Sequence, residues 1–387
     1  AVAGTATGLG ATIEHLFGTV NTLVVSLPRH DLRALQHDPR VAYVTPDRAV
    51  RLLADSPAAA LPTVPTGVAR IGAAPALNPD GTVAVANGPA RNTAVAILDT
   101  GIMNRPDLNV VGGHDCSASS DGSTTDDNGH GSHVAGIVAD KGIPGVVGVS
   151  PGTPLYAVRV VNADGAGSLS GVICGLNWVA QNAAAHNIKV VNMSLGGPGS
   201  DDGNCGNTDQ DALHTAVCRV TAAGVTVVAA AGNDGGDMAD STPGAYDEVL
   251  TVTAMADFDG KPGGLASTAP CSDGGQDDTA AAFSDYAAPG SPDVNHTIAA
   301  PGVCITSTWN DGKTKTISGT SMASPHVAGL VARCIDAGPC AGMTPPQIIA
   351  KLRADAAARP ADQGFAGDTH KPIDGKYYGN LADDVGY

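Results

Sequence analysis

From residue 68 onward, short aliphatic runs alternate with longer segments in which small and aliphatic residues recur at helical spacing. The runs Ala94–Leu98, Leu155–Val161, Val190–Leu195, Val225–Ala231 and Val249–Ala254 are nearly continuous in aliphatic residues. A strand with one wet face would alternate apolar with polar, so these read as strands buried on both faces. Helices are predicted over His130–Ala139, Leu169–Ala185, Asp209–Ala223, Ser321–Ile335 and Pro345–Ala354. Strand and helix in this order predict an α/β fold with a parallel sheet covered on both sides. In such a sheet the chemistry sits beyond the C-terminal strand ends.

The first 53 residues pattern differently. Thr22–Leu27 and Val41–Thr45 read as strands, the second stopped by Pro46 and Asp47, with a short helix over His30–His37 between them. Residues 54–65, rich in Ala, Pro and Ser, have a linker composition open to proteolysis. The expected organisation is therefore a small α+β unit at 1–53, a linker at 54–65 and a large domain at 66–387. The net charge is −17. Residues 1–53 carry five arginines against four acids, so the acidity belongs to the large domain. An acidic body argues against nucleic acid as partner and suits a cation-binding protein. No apolar run reaches the ~18 residues that span a bilayer. The opening residues lack the basic start and apolar run of a signal peptide.

Eight cysteines without CxxC or Cys/His metal spacing point to disulfides, and so to an oxidising, extracellular setting. Cys334–Cys340 and Cys205–Cys218 would each close a short loop. Cys271–Cys304 and Cys116–Cys174 are the further pairings expected. Two polar, Gly-rich stretches, 200–211 and 260–275, read either as disordered loops or as cation-binding ones.

Four short stretches carry the candidate chemistry. Asp99 ends a buried strand, and so does Asn233 in Val227-Val-Ala-Ala-Ala-Gly-Asn233. His130 opens a helix in Asn128-Gly-His-Gly-Ser-His-Val-Ala-Gly136, and Ser321 opens another in Gly319-Thr-Ser-Met-Ala-Ser-Pro-His-Val-Ala-Gly329. Each alone has a plain structural reading: a turn Asp, a turn Asn, a helix-start His, an N-cap Ser. Together they supply a nucleophile, a base to take its proton and an acid to fix the base. They also supply an amide and a helix-start N–H for an oxyanion.

The stretches around Asp99, His130 and Ser321, in that order, resemble the subtilisin-type serine proteases from about residue 66 to the C-terminus. The resemblance implies a three-layer α/β sandwich and a secreted, monomeric serine endopeptidase. It implies Ser321 as nucleophile, His130 as general base and acid, Asp99 as orienting carboxylate and Asn233 as oxyanion donor. Ser132 stands where the family usually has Thr, and keeps the hydroxyl. His133 and His326 are expected to be packing residues. Ser194, Leu195 and Gly196, with Ala230, Ala231 and Gly232, would line the pocket for the residue before the cut. Gly165, Gly167 and Leu169 would belong to an edge that pairs with an extended substrate. Small uncharged residues there imply broad specificity with apolar or aromatic preference, and neutral to alkaline activity. Asp107 matches a calcium-binding position of the family, although the loop at 139–145 is altered. Asp121, Asp126, Asp127, Asp201 and Asp202 are other oxygen ligands available. Residues 1–53, above all Pro39–Asp47, resemble the family's inhibitory prosegment, of ferredoxin-like fold with its first strand missing. A maturation cut is then expected between Val50 and Val64. An α/β-hydrolase esterase would show Gly-x-Ser-x-Gly and the order Ser, acid, His, neither of which these stretches have. Ester or polyester hydrolysis by the same serine, and an inactive protease-like binding protein, are the alternatives.

Overall fold

The computed structural model describes residues 2–52, 55–58, 64–75, 91–117, 122–142, 146–272 and 274–387. Seven parallel strands form its central sheet. In chain order they are β1 (Ala94–Asp99), β2 (Val110–Asp115), β3 (Leu155–Arg159), β4 (Ile188–Met193), β5 (Thr226–Ala230), β6 (Val249–Ala256) and β7 (Thr297–Val303). Their spatial order is 2-3-1-4-5-6-7, with the antiparallel pair Thr279–Ala280 added beside the end of β6. The chain lays β2 and β3 on one side of β1, then returns to place β4 on the other. A ligand crevice is expected at such a switch, beyond the strand ends.

The helices are α1 (His130–Ala139), α2 (Leu169–His186), α3 (Ala212–Ala222), α4 (Thr320–Ala337) and α5 (Pro345–Ala357). Every residue of β1 is buried, and its side chains alternate between two cores. Val95 and Ile97 join the core under α1 and α4; Ala94, Ala96 and Leu98 join the one under α2 and α3. The five aliphatic strands read in the large domain are all present, and its five helices match to within three residues at each end. The four predicted cysteine pairings are all formed.

The N-terminal unit departs from expectation. A helix at Val2–Gly8 leads to an antiparallel pair, Thr12–Phe17 with Thr22–Ser26, and then a short helix at Leu32–Gln36. The sheet of this unit has two strands. Residues 41–48, predicted as a strand over Val41–Thr45, make no ladder, because no strand of the unit lies beside them to pair with. Pairing resumes at Ala49–Leu52, in a sheet of the large domain. Most of the 54–65 linker lies outside the described residues, so the predicted maturation interval is described only at its two ends and at 55–58.

Candidate active site

Asp99 is the last residue of β1 and is fully buried. His130 is the first residue of α1, and its Nδ1 lies 2.8 and 2.9 Å from the two Asp99 oxygens. A carboxylate can only accept, so Nδ1 carries the proton and Nε2 is the basic nitrogen of the neutral ring. The approach of α1 to the strand end depends on Gly131. Its N–H donates to Thr100 Oγ1 at 2.9 Å, and a Cβ there would lie 2.1 Å from the Gly101 carbonyl oxygen. Asp126 organises the loop before α1. It accepts the Thr100 hydroxyl and the N–H groups of Asn128, Gly129 and Ser132. The Ser132 hydroxyl donates to Asp126 at 2.7 Å and accepts the Met103 N–H at 2.9 Å. The hydroxyl is the part of this side chain the loop uses.

Ser321 is the second residue of α4, behind a glycine N-cap with φ 153°. Its hydroxyl donates to the Ser194 carbonyl at 2.9 Å. Among the described residues the buried His130 Nε2 has no hydrogen-bond partner. Asp99 and His130 are thus joined, while the serine hydroxyl is turned toward Ser194.

Pro325 sits inside α4, four residues after Ser321. Proline has no N–H, so the Ser321 carbonyl loses its intrahelical donor. Ser194 Oγ supplies the missing hydrogen bond at 2.8 Å, while accepting one from Asn192 Nδ2. Ser324 Oγ donates to Asn192 Oδ1 at 2.7 Å and closes the network. These groups are fully buried, where each unmade hydrogen bond costs about 1–3 kcal/mol. Pro325 was the one visible signal of this support, since the helix pattern runs straight through it.

Asn233 follows β5. Its Oδ1 accepts the Thr320 N–H at 3.0 Å and the Thr320 hydroxyl at 2.8 Å. This fixes the amide orientation and leaves Nδ2 as the donor. Beneath it, Gly232 has φ 125°, and a Cβ there would lie 1.9 Å from Asp285 Oδ2. Asp285 accepts the N–H groups of Asp234 and Gly236, so one carboxylate gathers the turn that presents Asn233. Burial pushes this carboxyl up to about 6, against the pull of those N–H groups.

The predicted substrate edges are two short strands, Ala166–Ser168 and Leu195–Pro198. Ala49–Leu52 lies between them and is antiparallel to both. Val50 pairs with Gly167, Arg51 with Gly196 and Leu52 with Leu195, and the Leu52 N–H reaches the Gly165 carbonyl. Leu169 opens α2 and donates its N–H to the Arg48 carbonyl at 2.7 Å. Gly167 makes room for Val50, since a Cβ there would sit 3.1 Å from one of its methyl groups; a Cβ at Gly197 would lie in ordinary contact with the other, at 3.9 Å. Asp47 accepts the N–H and hydroxyl of Ser170 in the first turn of α2. Past position 54, Asp55–Ala58 pairs with Thr314–Ser318, the strand that leads into the Ser321 turn. Ala230 and Ala231 are buried at the end of β5, next to Gly232.

His133 and His326 are core residues. His133 Nε2 meets the carbonyls of Ile305 and Lys315, and His326 Nδ1 meets that of Met322. At Asp107 both carboxylate oxygens are held by Arg105, at 2.9 and 2.6 Å. A guanidinium takes the place of a cation there, so the residues do not fit the expected calcium site. Asp126 is spent on the His130 loop, Asp127 pairs with Arg159, and Asp121 lies outside the described residues.

A carboxylate–imidazole pair at one strand end, a serine opening a neighbouring helix and an oriented amide define a serine hydrolase on a parallel sheet. The comparisons narrow that class. The model of the subtilase family (Peptidase_S8) matches residues 90–371. M-protease of Shouchella clausii is 36% identical over 82% of this chain and 70% of its own length. Subtilisin E of Bacillus subtilis is 35% identical over 85% and 74%, and proteinase T of Parengyodontium album 38% over 71% and 81%. The crystal structure of a cold adapted subtilisin-like serine proteinase matches at TM-score 0.61 with 30% identity, covering 84% of this chain and all of its own. The chain belongs to the subtilase family and is a serine endopeptidase.

Proposed function

We propose that the enzyme cleaves peptides through Ser321, His130 and Asp99, and that residues 1–53 are its own inhibitor, removed by self-cleavage. The observation that carries the triad is the double contact of His130 Nδ1 with Asp99, which leaves Nε2 as the basic atom. The reaction requires the Ser321 hydroxyl to turn from the Ser194 carbonyl to Nε2. As Oγ attacks the scissile carbonyl, His130 takes its proton and Asp99 stabilises the imidazolium. The oxyanion accepts from Asn233 Nδ2 and the Ser321 N–H, donors already in place before charge develops. His130 then protonates the leaving amine, and water releases the acyl group by the reverse path. The base must be neutral to begin, so activity rises toward neutral and alkaline pH.

Ala49–Leu52 supports the inhibitor reading. It fills the cleft as a substrate strand would, with backbone pairing on both sides and one side chain, Val50, seated between glycines. Small, uncharged residues at 194–196 and 230–232 favour apolar or aromatic side chains before the cut. The four disulfides fit a secreted protein, and no helix among the described residues is long and apolar enough to cross a membrane. A peptide-cleavage assay with intact-mass measurement tests the whole reading. Ser321→Ala is expected to lose about 10⁶ in kcat and to keep residues 1–53, as the wild type does not. That magnitude is the one measured for serine loss within this same family. Retained cleavage in Ser321→Ala would end the assignment.

A further inference from the structure

The loop between Leu195–Pro198 and α3 leads into a helix that packs on the sheet face opposite α1 and α4. His214, on α3, is fully buried beneath that loop. Its Nε2 lies 2.8 Å from Glu248 Oε2. Since the carboxylate can only accept, Nε2 carries the proton and the neutral ring directs a lone pair from Nδ1. That nitrogen has no hydrogen-bond partner. It faces Asp202 Oδ1 at 3.2 Å and Asp201 Oδ1 at 3.5 Å. Nδ1 facing two carboxylates is repulsive unless a positive charge lies there, either a proton on the ring itself or a bound cation.

We propose that His214 Nδ1, Asp201 and Asp202 bind one divalent transition-metal cation of the zinc type. A tetrahedral ion with bonds of about 2.0–2.1 Å holds its ligand atoms roughly 3.3 Å apart. The two nitrogen–oxygen separations fall on either side of that value. Glu248 completes the usual support of a metal-bound imidazole, an outer carboxylate that takes the other ring N–H and fixes its orientation. Stacking on Tyr246, with ring centroids 4.1 Å apart, holds the ring plane. Asp202 is fixed by the N–H groups of Asn204, Gly206, Thr208 and Asp209, and Asp201 by those of Gly203 and Asp247. Imidazole with two carboxylates selects zinc, nickel or copper over calcium, which takes oxygen ligands. Cys205 and Cys218 lie beside His214 and Glu248 but are joined in a disulfide and offer no thiolate. Asp201, with its side chain 16% exposed, and Glu248, at 29%, give a cation access from solvent.

The test is cobalt(II) titration of the full chain carrying Ser321→Ala, which removes self-cleavage. The expected result is one cobalt per chain with the intense visible absorption of a four-coordinate ion, displaced by zinc, and a higher melting temperature that EDTA reverses. His214→Gln is expected to abolish this binding. Asp201→Asn, at the exposed rim, keeps the test open should the buried substitution fail to fold. Glu248→Gln, which acts only through ring orientation, is expected to weaken binding about 10–100-fold. Absence of cobalt binding overturns the proposal. So does binding unchanged in both Asp201→Asn and Glu248→Gln, which would mark adventitious surface histidines. His214 would then be an imidazolium clamped by three carboxylates.

Discussion

The large domain and the N-terminal unit are stabilised in different ways. The large domain closes two cores of its own, one on each face of the sheet, and builds its site from buried, mutually bonded side chains. The N-terminal unit has a private core of three buried residues, Ala6, Ala11 and Leu35, with five partly buried apolar neighbours. Two other buried side chains of the unit, Phe17 and Val20, pack into the large domain's core under α2 and α3. Such a unit is expected to reach its folded shape by docking, and so to respond to mutation as a binding partner does. The same chain thus holds a part that defines a surface and a part that needs that surface.

That contrast can be broken by experiments on either side. The largest effect is expected inside the large domain: Asn233→Ala should lower kcat about 10²–10³-fold with little change in KM. That magnitude too was measured within this family. Melting temperature and inhibition by added 1–53 peptide should stay as in the wild type, and a loss of inhibition would blur the division. On the other side, Phe17→Ala in that peptide should weaken inhibition at least about thirtyfold, roughly 2 kcal/mol, as for an interface anchor. The enzyme's own kcat should be untouched. Circular dichroism of the free peptide should show little structure, and a cooperative melt in isolation would contradict dependence on docking. Asp47→Ala removes the carboxylate that caps α2 from outside. It should weaken inhibition about fivefold, the ~1 kcal/mol of a lost cap.

A further prediction concerns pH. Burial, helped by nearby His130, pushes His133 down to about 3, and burial pushes His326 down to about 4. Both stay neutral in the folded protein while the unfolded chain protonates below about 6.5. Their contribution is present above that value and is lost as pH falls toward 4, because the unfolded state binds more protons. Asp140, Asp257 and Asp285, raised by burial to about 7, 7 and 6, act with the opposite sign. The clean measurement is therefore a difference. His326→Gln should flatten stability against pH by about one proton, ~1.4 kcal/mol per pH unit, between pH 6 and 4.5 in urea melts of the Ser321→Ala chain. An unchanged slope would refute a neutral His326.

Legibility in the sequence follows the same division. β1, β3, β4, β5 and β6 are buried on both faces, and continuous aliphatic runs announce them. β2 and β7 pass unread. β2 is an edge strand, half exposed and interrupted by Gly112 and Gly113, and a Cβ at Gly113 would lie 2.1 Å from the Ala157 carbonyl oxygen. β7 contains Pro301 and Gly302, which read as a turn but are tolerated because the strand closes the sheet's far side. Asp99, His130, Ser321 and Asn233 lie in motifs long enough to stand out. Their supports come from across the chain: Thr320 meets Asn233 over 87 positions, Asp285 gathers the turn after Asn233 over 51, and Asn192 meets Ser324 in the Ser321 helix over 132. No local pattern records such a contact. The predicted strand at 41–45 failed for the same reason: pairing is decided by what lies alongside.

Leu52 pairs beside Ser194, whose carbonyl holds the Ser321 hydroxyl, and Asp55 pairs with Ser318, three positions ahead of Ser321. In the sequence, two positions separate Leu52 from Asp55. If the first cut falls there, its half-life is a property of the single molecule, the same in a dilute culture as in a crowded one. Every molecule then carries its own clock, started by folding, and no neighbour is needed to set it running.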